Sequence, residues 1–225
     1  MDDLRARPFS MQSLVLLQRD HEASPHLAAL IAATPGFRVV GTVHTVDEAR
    51  PLIARTDPDI LVTDLRVQDG PVDGLLGDLR QGGRATRPQV LVTLMSHDDT
   101  VLLQALRAGA DGYWVHANSP EALISGLQEV ARGESPMTPN IARQVLSHFE
   151  APPRYLLADT MTEALNPLVL TGMERQILQW LAQGYLIDEI AQQWHASVHT
   201  VACGIRRVYQ KLQFDIRANG LSLTA

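Results

Sequence analysis

Over the first 130 or so residues the apolar positions fall into two alternating patterns. Short unbroken apolar runs at Ser13–Gln18, Phe37–Val43, Ile60–Asp64, Val90–Leu94 and Gly112–Val115 read as strands, buried on both faces of a parallel sheet. Between them the period changes. Leu27, Leu30 and Ile31 share one face of a helix that Pro35-Gly36 stops. Thr45-Val46-Asp47-Glu48 reads as a capping box for a second helix, with Pro51 sitting awkwardly inside it. Helical stretches follow near Leu75–Arg80 and Val101–Ala108, and Ser119 with Pro120 opens a fifth helix that runs to Arg132. Five strands alternating with five helices predict right-handed crossovers and an α/β doubly wound parallel sheet over residues 11–133. Sites in such folds form beyond the carboxyl ends of the strands, here at Arg19, Asp20, Asp64, Met95, Ser96 and His116. Polar residues also gather there simply because loops begin there.

The alternation then breaks at Gly133, Pro136 and Pro139. Residues 134–167 read as a linker that includes a helix near 139–149, capped by Thr138-Pro139 and ended by Pro152-Pro153. Its Tyr155, Leu156 and Leu157 are placed to dock on either neighbour. From residue 168 to 225 the signal is all helical. Thr171 caps a helix with Glu174 at its third position, Ile177, Leu178 and Leu181 form its apolar face, and Gly184 closes it. Asp188–Trp194 makes a short second helix, with His195-Ala196 as the turn. Ser197 then caps a third helix on which Val198, Val201, Ile205, Val208 and Leu212 recur at helical spacing. Two short helices, a turn and a longer amphipathic helix predict a small all-α helix-turn-helix domain, although other three-helix bundles share this periodicity.

Charge and composition narrow the function. No apolar tract approaches the ~20 residues that span a bilayer, and the N-terminus has no apolar signal core. The single cysteine, Cys203, excludes an internal disulfide and fits a cytoplasmic address, reading mainly as a small buried residue. Residues 1–150 hold 13 Arg/Lys against 19 Asp/Glu, a balance of −6; residues 168–225 hold five against four, a balance of +1. That tail is far from the strongly basic footprint of a tight DNA binder.

The residues themselves carry two resemblances. Leu170-Thr171-x-x-Glu174-Arg175-x-Ile177-Leu178, Ala182-x-Gly184, Glu189-Ile190-Ala191, Ser197-Val198-His199-Thr200-Val201 and Lys211-Leu212 resemble the DNA-binding domain of NarL/LuxR-type response regulators. The resemblance implies that the helix from Val198 to Leu212 enters the major groove. Candidates for groove or phosphate contact are then Ser197, His199, Thr200, Cys203, Arg206, Arg207 and Lys211. Upstream, Asp20-His21, Asp64-Leu65-Arg66, His97-Asp98-Asp99 and above all Ala108-Gly109-Ala110-Asp111-Gly112-Tyr113 resemble a response-regulator receiver domain over roughly residues 13–133, a flavodoxin-like fold. That resemblance implies Asp64 as the acceptor of a phosphoryl group from a histidine kinase, with Mg²⁺ held by Asp20 and Asp64 to orient the phosphate.

Four departures touch that chemistry. The first acid of the family's pair is Arg19, leaving Asp20 as the remnant of the acidic pocket. The hydroxyl residue ending strand four should fall at Leu94 or Met95; Thr93 is one or two residues early, a shift expected to turn its side chain to the other face of the sheet. His116 replaces the lysine after strand five, and the loop after Asp64 lacks a proline at Gln68 and is longer before Asp73-Gly74. A guanidinium ~4–6 Å from a divalent-cation site opposes Mg²⁺, and Arg19 is expected to pair with Asp64 or Asp20 in the metal's place. In the C-terminal domain Ala202 and Gly204 stand where the family has lysine and histidine, Leu186 replaces a capping residue, and Asp188 takes a common lysine position. The function expected is a cytoplasmic DNA-binding transcription regulator, a homodimer, controlled by something other than ordinary Mg²⁺-dependent aspartyl phosphorylation. A regulator that sequesters a protein partner and no longer binds DNA is the alternative. A small flavodoxin-like enzyme fits the sheet but not the tail, and Arg19-Asp20-His21-Glu22 stands where a phosphate-cradling glycine loop would be.

Overall fold

Five strands form one parallel sheet in the order β2-β1-β3-β6-β7: β1 Gln12–Leu17, β2 Phe37–Val43, β3 Ile60–Asp64, β6 Gln89–Leu94 and β7 Gly112–Val115. The computed structural model describes residues 11–81, 87–95, 98–116, 119–135, 137–150 and 169–221. Ser96 and the stretch 151–167, with Tyr155, Leu156 and Leu157, lie outside the described residues. Alternation along each strand divides the core. Leu14, Leu16, Val62 and Leu91 meet α1 (Ala23–Ala32) and α5 (Pro120–Ala131) on one face. Val15, Leu17, Leu61 and Val92 meet α2 (Val46–Thr56), α3 (Asp73–Gln81) and α4 (Asp99–Ala108) on the other. The strand order reverses between β1 and β3, so the crevice where a doubly wound sheet takes its ligand opens between Gln18-Arg19 and Asp64.

The longer loop after Asp64 is a small antiparallel hairpin of β4 (Arg66–Val67) and β5 (Gly70–Pro71). It carries Asp69, whose carboxylate accepts the Val46 N–H at 2.8 Å and the Asp47 N–H at 3.1 Å. The extra residues therefore cap α2, and those backbone donors hold the Asp69 carboxyl below its usual range. Thr45 accepts the Glu48 N–H as predicted, but Glu48 reaches back to the His44 N–H, one residue before the cap.

The rest of the chain is helical: α6 (Pro139–Glu150), α7 (Gly172–Gln183), α8 (Ile187–Gln193) and α9 (Val198–Leu221). The helix expected within a linker is part of the core. Ile141, Ala142 and Val145 of α6 belong to the same buried cluster as Leu106 of α4 and Ile177 and Leu181 of α7. Helix α9 continues past Leu212, and its second half lies against the sheet domain. The Gln213 amide donates to the carbonyls of Leu106 at 2.8 Å and Ala110 at 3.0 Å, both at the C-terminal end of α4. Those carbonyls have no partner further along α4, so one side chain from another domain satisfies two open helix-end acceptors.

Candidate functional site

Parallel pairing places Asp64 directly opposite Thr93, which puts the two side chains on the same face of the sheet. The Thr93 hydroxyl donates to Asp64 Oδ1, and the Arg19 backbone N–H donates to Asp64 Oδ2 at 2.8 Å. Gln18 in turn donates its amide to Thr93 Oγ1 at 3.3 Å. The expectation that Thr93 turns away is thus corrected by the register: it is Leu94 that points into the opposite core, while Met95 beyond it is 81% exposed. The ion pair expected of Arg19 also does not form. Its main chain, not its guanidinium, meets Asp64, and among the described residues neither Arg19 nor Arg66 makes an ion pair. Asp20 is exposed and accepts the Glu22 N–H at 2.8 Å in the turn into α1. His116 lines the same cavity as Asp64, with its ring against Trp114 at a centroid distance of 4.6 Å.

In the helical domain the capping box is complete. Thr171 Oγ1 accepts the Glu174 N–H at 3.3 Å, and Glu174 Oε2 accepts the Thr171 N–H at 2.8 Å. Gly184 ends α7 with φ +97, a left-handed conformation that a side chain would strain. At α8 the hydroxyl lost at Leu186 removes half of a box; Glu189 still accepts the Leu186 N–H at 2.8 Å. His195 makes the turn with φ +49. Ser197 then caps α9 by accepting the Thr200 N–H at 3.1 Å.

The candidate DNA-contact residues separate into two groups. Ser197, His199, Thr200 and Arg207 are exposed, and Cys203 is half-buried with its sulfur 3.4 Å from His199 Nε2, rather than a core residue. Lys211 and Arg206 face inward. Lys211 Nζ lies 2.7 Å from Glu174 Oε2 and also donates to the Val169 carbonyl at 2.7 Å. The Arg206 guanidinium reaches the Gly133 carbonyl at 3.4 Å, across the domain boundary. Both contacts have one cause: α9 is wrapped by α7 on one side and the sheet domain on another, so cations on those faces meet protein acceptors.

Glycine 204 has the same origin. It is buried, and a Cβ there would collide with Ile177 Cδ1 of α7. Its absent side chain sets the approach of the two helices, so it is not a lost groove contact. We expect Gly204→Ala to lower stability by about 1 kcal/mol, since overpacking at ~1–3 kcal/mol outweighs the ~1 kcal/mol gained in helix propensity. Urea unfolding of this variant with and without Ile177→Val checks it, the second change relieving the clash. Ala202 is likewise buried, at 2% exposure, where a lysine would be desolvated.

The C-terminal geometry is matched by the family described as bacterial regulatory proteins, luxR family, over residues 168–219. Over 90% of its length the chain is 27% identical to the transcriptional regulatory protein LiaR of Bacillus subtilis (strain 168), covering 92% of that protein. It is 28% identical to the nitrate/nitrite response regulator protein NarL of Escherichia coli (strain K12), covering 90% of each chain. A LuxR-family two-component response regulator from Aurantimonas sp. SI85-9A1 has a solved structure that matches with TM-score 0.54 and 27% identity, over 62% of this chain and 98% of that one. Residues 168–219 thus match the luxR family, and over nine-tenths of its length the chain is similar to NarL/LuxR-type response regulators. The RcsB response regulator of Salmonella typhimurium, at 16% identity, has the same fold across 90% of this chain and 92% of its own, with TM-score 0.51. These relatives are regulators of transcription rather than enzymes, in line with the sequence reading.

Three structural positions escape sequence reasoning. Gln213 and Tyr209 anchor α9 on the receiver, and Asp69 caps α2 from the inserted hairpin. Burial at this domain contact pushes the Tyr113 phenol up to about 12 and raises that of Tyr209 well above its usual value. Tyr209 lies mid-way along α9, and the partners of Gln213 are more than 100 residues away in the sequence.

Proposed function

We propose that the regulator binds promoter DNA as a homodimer, through the exposed first turn of α9. The observation that carries this reading is the set Ser197, His199 and Thr200 at the start of that helix, exposed and capped, with Arg207 exposed two turns on. Relatives support it: DevR/DosR of Mycobacterium tuberculosis is named a DNA-binding transcriptional activator, and RcsB has been solved as two dimers bound to two parallel DNAs. The cytoplasm is the natural compartment for such a protein, and among the described residues no helix is long and apolar enough to cross a membrane.

The receiver is set by an input other than Mg²⁺-dependent phosphorylation. Mg²⁺ demands near-octahedral oxygen ligands. Here Asp64 already accepts two hydrogen bonds, Asp20 is turned to a backbone N–H, and a guanidinium stands in for the third acid. That donor set does not fit the ion, and a histidine kinase partner is not required by it.

Labelled promoter-region DNA titrated at several salt concentrations tests the DNA reading. We expect sequence-dependent binding with a shallow salt slope, releasing on the order of four counterions per dimer, because Arg206 and Lys211 are engaged internally. Absence of binding at low salt would overturn the proposal in favour of a regulator that acts on a protein partner.

A further inference from the structure

We propose that the crevice at the carboxyl end of the receiver sheet is a binding site for a small organic anion with an apolar body, such as a medium-chain or aromatic carboxylate. The inference rests on reading Asp64 as a held carboxylate rather than a phosphoacceptor. The cavity there is about 890 Å³, within the range of small-molecule sites. Its wall is largely apolar, with Leu65, Leu94, Met95 and Val101 contributing. Met95 holds its thioether 81% exposed at this wall, an adaptable apolar surface left facing solvent. A phosphoryl group needs none of this.

The polar side of the cavity selects the charge. Arg19 and Arg66 both line it, and both also line the adjoining cavity toward the hairpin. Neither makes an ion pair among the described residues, although Asp20, Glu22 and Asp64 line the same space. Asp64 has one oxygen on the Arg19 N–H and the other on the Thr93 hydroxyl, and Asp20 accepts the Glu22 N–H. Two of the three carboxylates are thus engaged by uncharged donors, which leaves Glu22 as the one acidic side chain facing two guanidiniums that make no ion pair among the described residues. A guanidinium with free donors recognises a planar oxyanion by charge-assisted hydrogen bonds. The occupant has a path to the output: Val101 is on α4, whose far end accepts the Gln213 amide of α9.

Calorimetric titration of the full-length protein with sodium octanoate, 1-octanol and octylamine tests this. The expected result is octanoate binding at least about tenfold tighter than the other two, the contribution of a charge-assisted contact. Arg19→Gln with Arg66→Gln should remove that preference, and Val101→Trp should abolish binding of all three with an unchanged circular dichroism spectrum. Octylamine binding as tightly as octanoate, a preference that survives the double substitution, or no binding by any probe would overturn the proposal. DNA titration of the same preparation reads the proposed function separately. A phosphate adduct at Asp64 would instead undo the reading on which this site rests.

Discussion

Replacing Lys211 by methionine is expected to destabilise the helical domain by about 3 kcal/mol, because it strands a buried carboxylate. Glu174 is 3% exposed at its side chain and Lys211 13%, and their 2.7 Å contact closes the capping box of α7 onto α9. Arg207 lies 3.8 Å from the other carboxylate oxygen but is half-exposed, so it compensates only in part. That places the loss at the lower end of the ~3–5 kcal/mol seen when one partner of a buried pair is removed. Adding Glu174→Gln should recover much of it, since glutamine keeps the cap while removing the stranded charge. Had Lys211 gripped a phosphate, the single variant would keep its unfolding midpoint and lose about one unit of salt slope in DNA binding. Thermal unfolding and DNA titration of the same variants separate the two outcomes.

The corresponding substitution in the receiver is Asp111→Ala, with an expected loss of about 3 kcal/mol. Asp111 is 3% exposed and takes three donors: the Val90 N–H at 2.9 Å and both terminal nitrogens of Arg87, at 2.8 and 2.6 Å. A bidentate guanidinium and a strand N–H converge on one carboxylate, joining the start of β6 to the loop between α4 and β7. Removing it leaves a largely buried cation and an orphaned backbone donor. Asp111→Asn should lose less, because the amide oxygen still accepts one donor. Urea unfolding followed by circular dichroism measures both, and equal stability of Asp111→Ala and the parent would show that the pair contributes nothing net.

These two ion pairs mark where sequence reasoning holds and where it stops. Strand and helix identities followed from period-2 and period-3.6 patterning, and Thr171, Glu174, Ser119 and Ser197 revealed their caps because capping is a short-range interaction. Ala-Gly-Ala-Asp-Gly-Tyr was recognisable as a motif, but the reason for its acid lay 24 residues upstream at Arg87. Thr93 was misjudged because register between parallel strands is set by distant packing, which one strand's sequence does not contain. The internal contacts of Arg206 and Lys211 were hidden for a related reason. Their spacing on α9 was right, but the helix has three neighbours and only one of its faces is left for DNA. The residues that hold the domains together, Gln213 foremost, carry no local signature at all.

The sheet domain thus keeps its scaffold while the Asp64 carboxylate accepts the Thr93 hydroxyl and the backbone N–H of Arg19, the residue that stands in place of a metal-binding acid. Intact mass of the full-length protein after incubation with a small acyl phosphate and Mg²⁺ tests this claim most directly. On the reading proposed above, we expect the unmodified mass. A stoichiometric phosphate adduct that disappears in Asp64→Asn would contradict it.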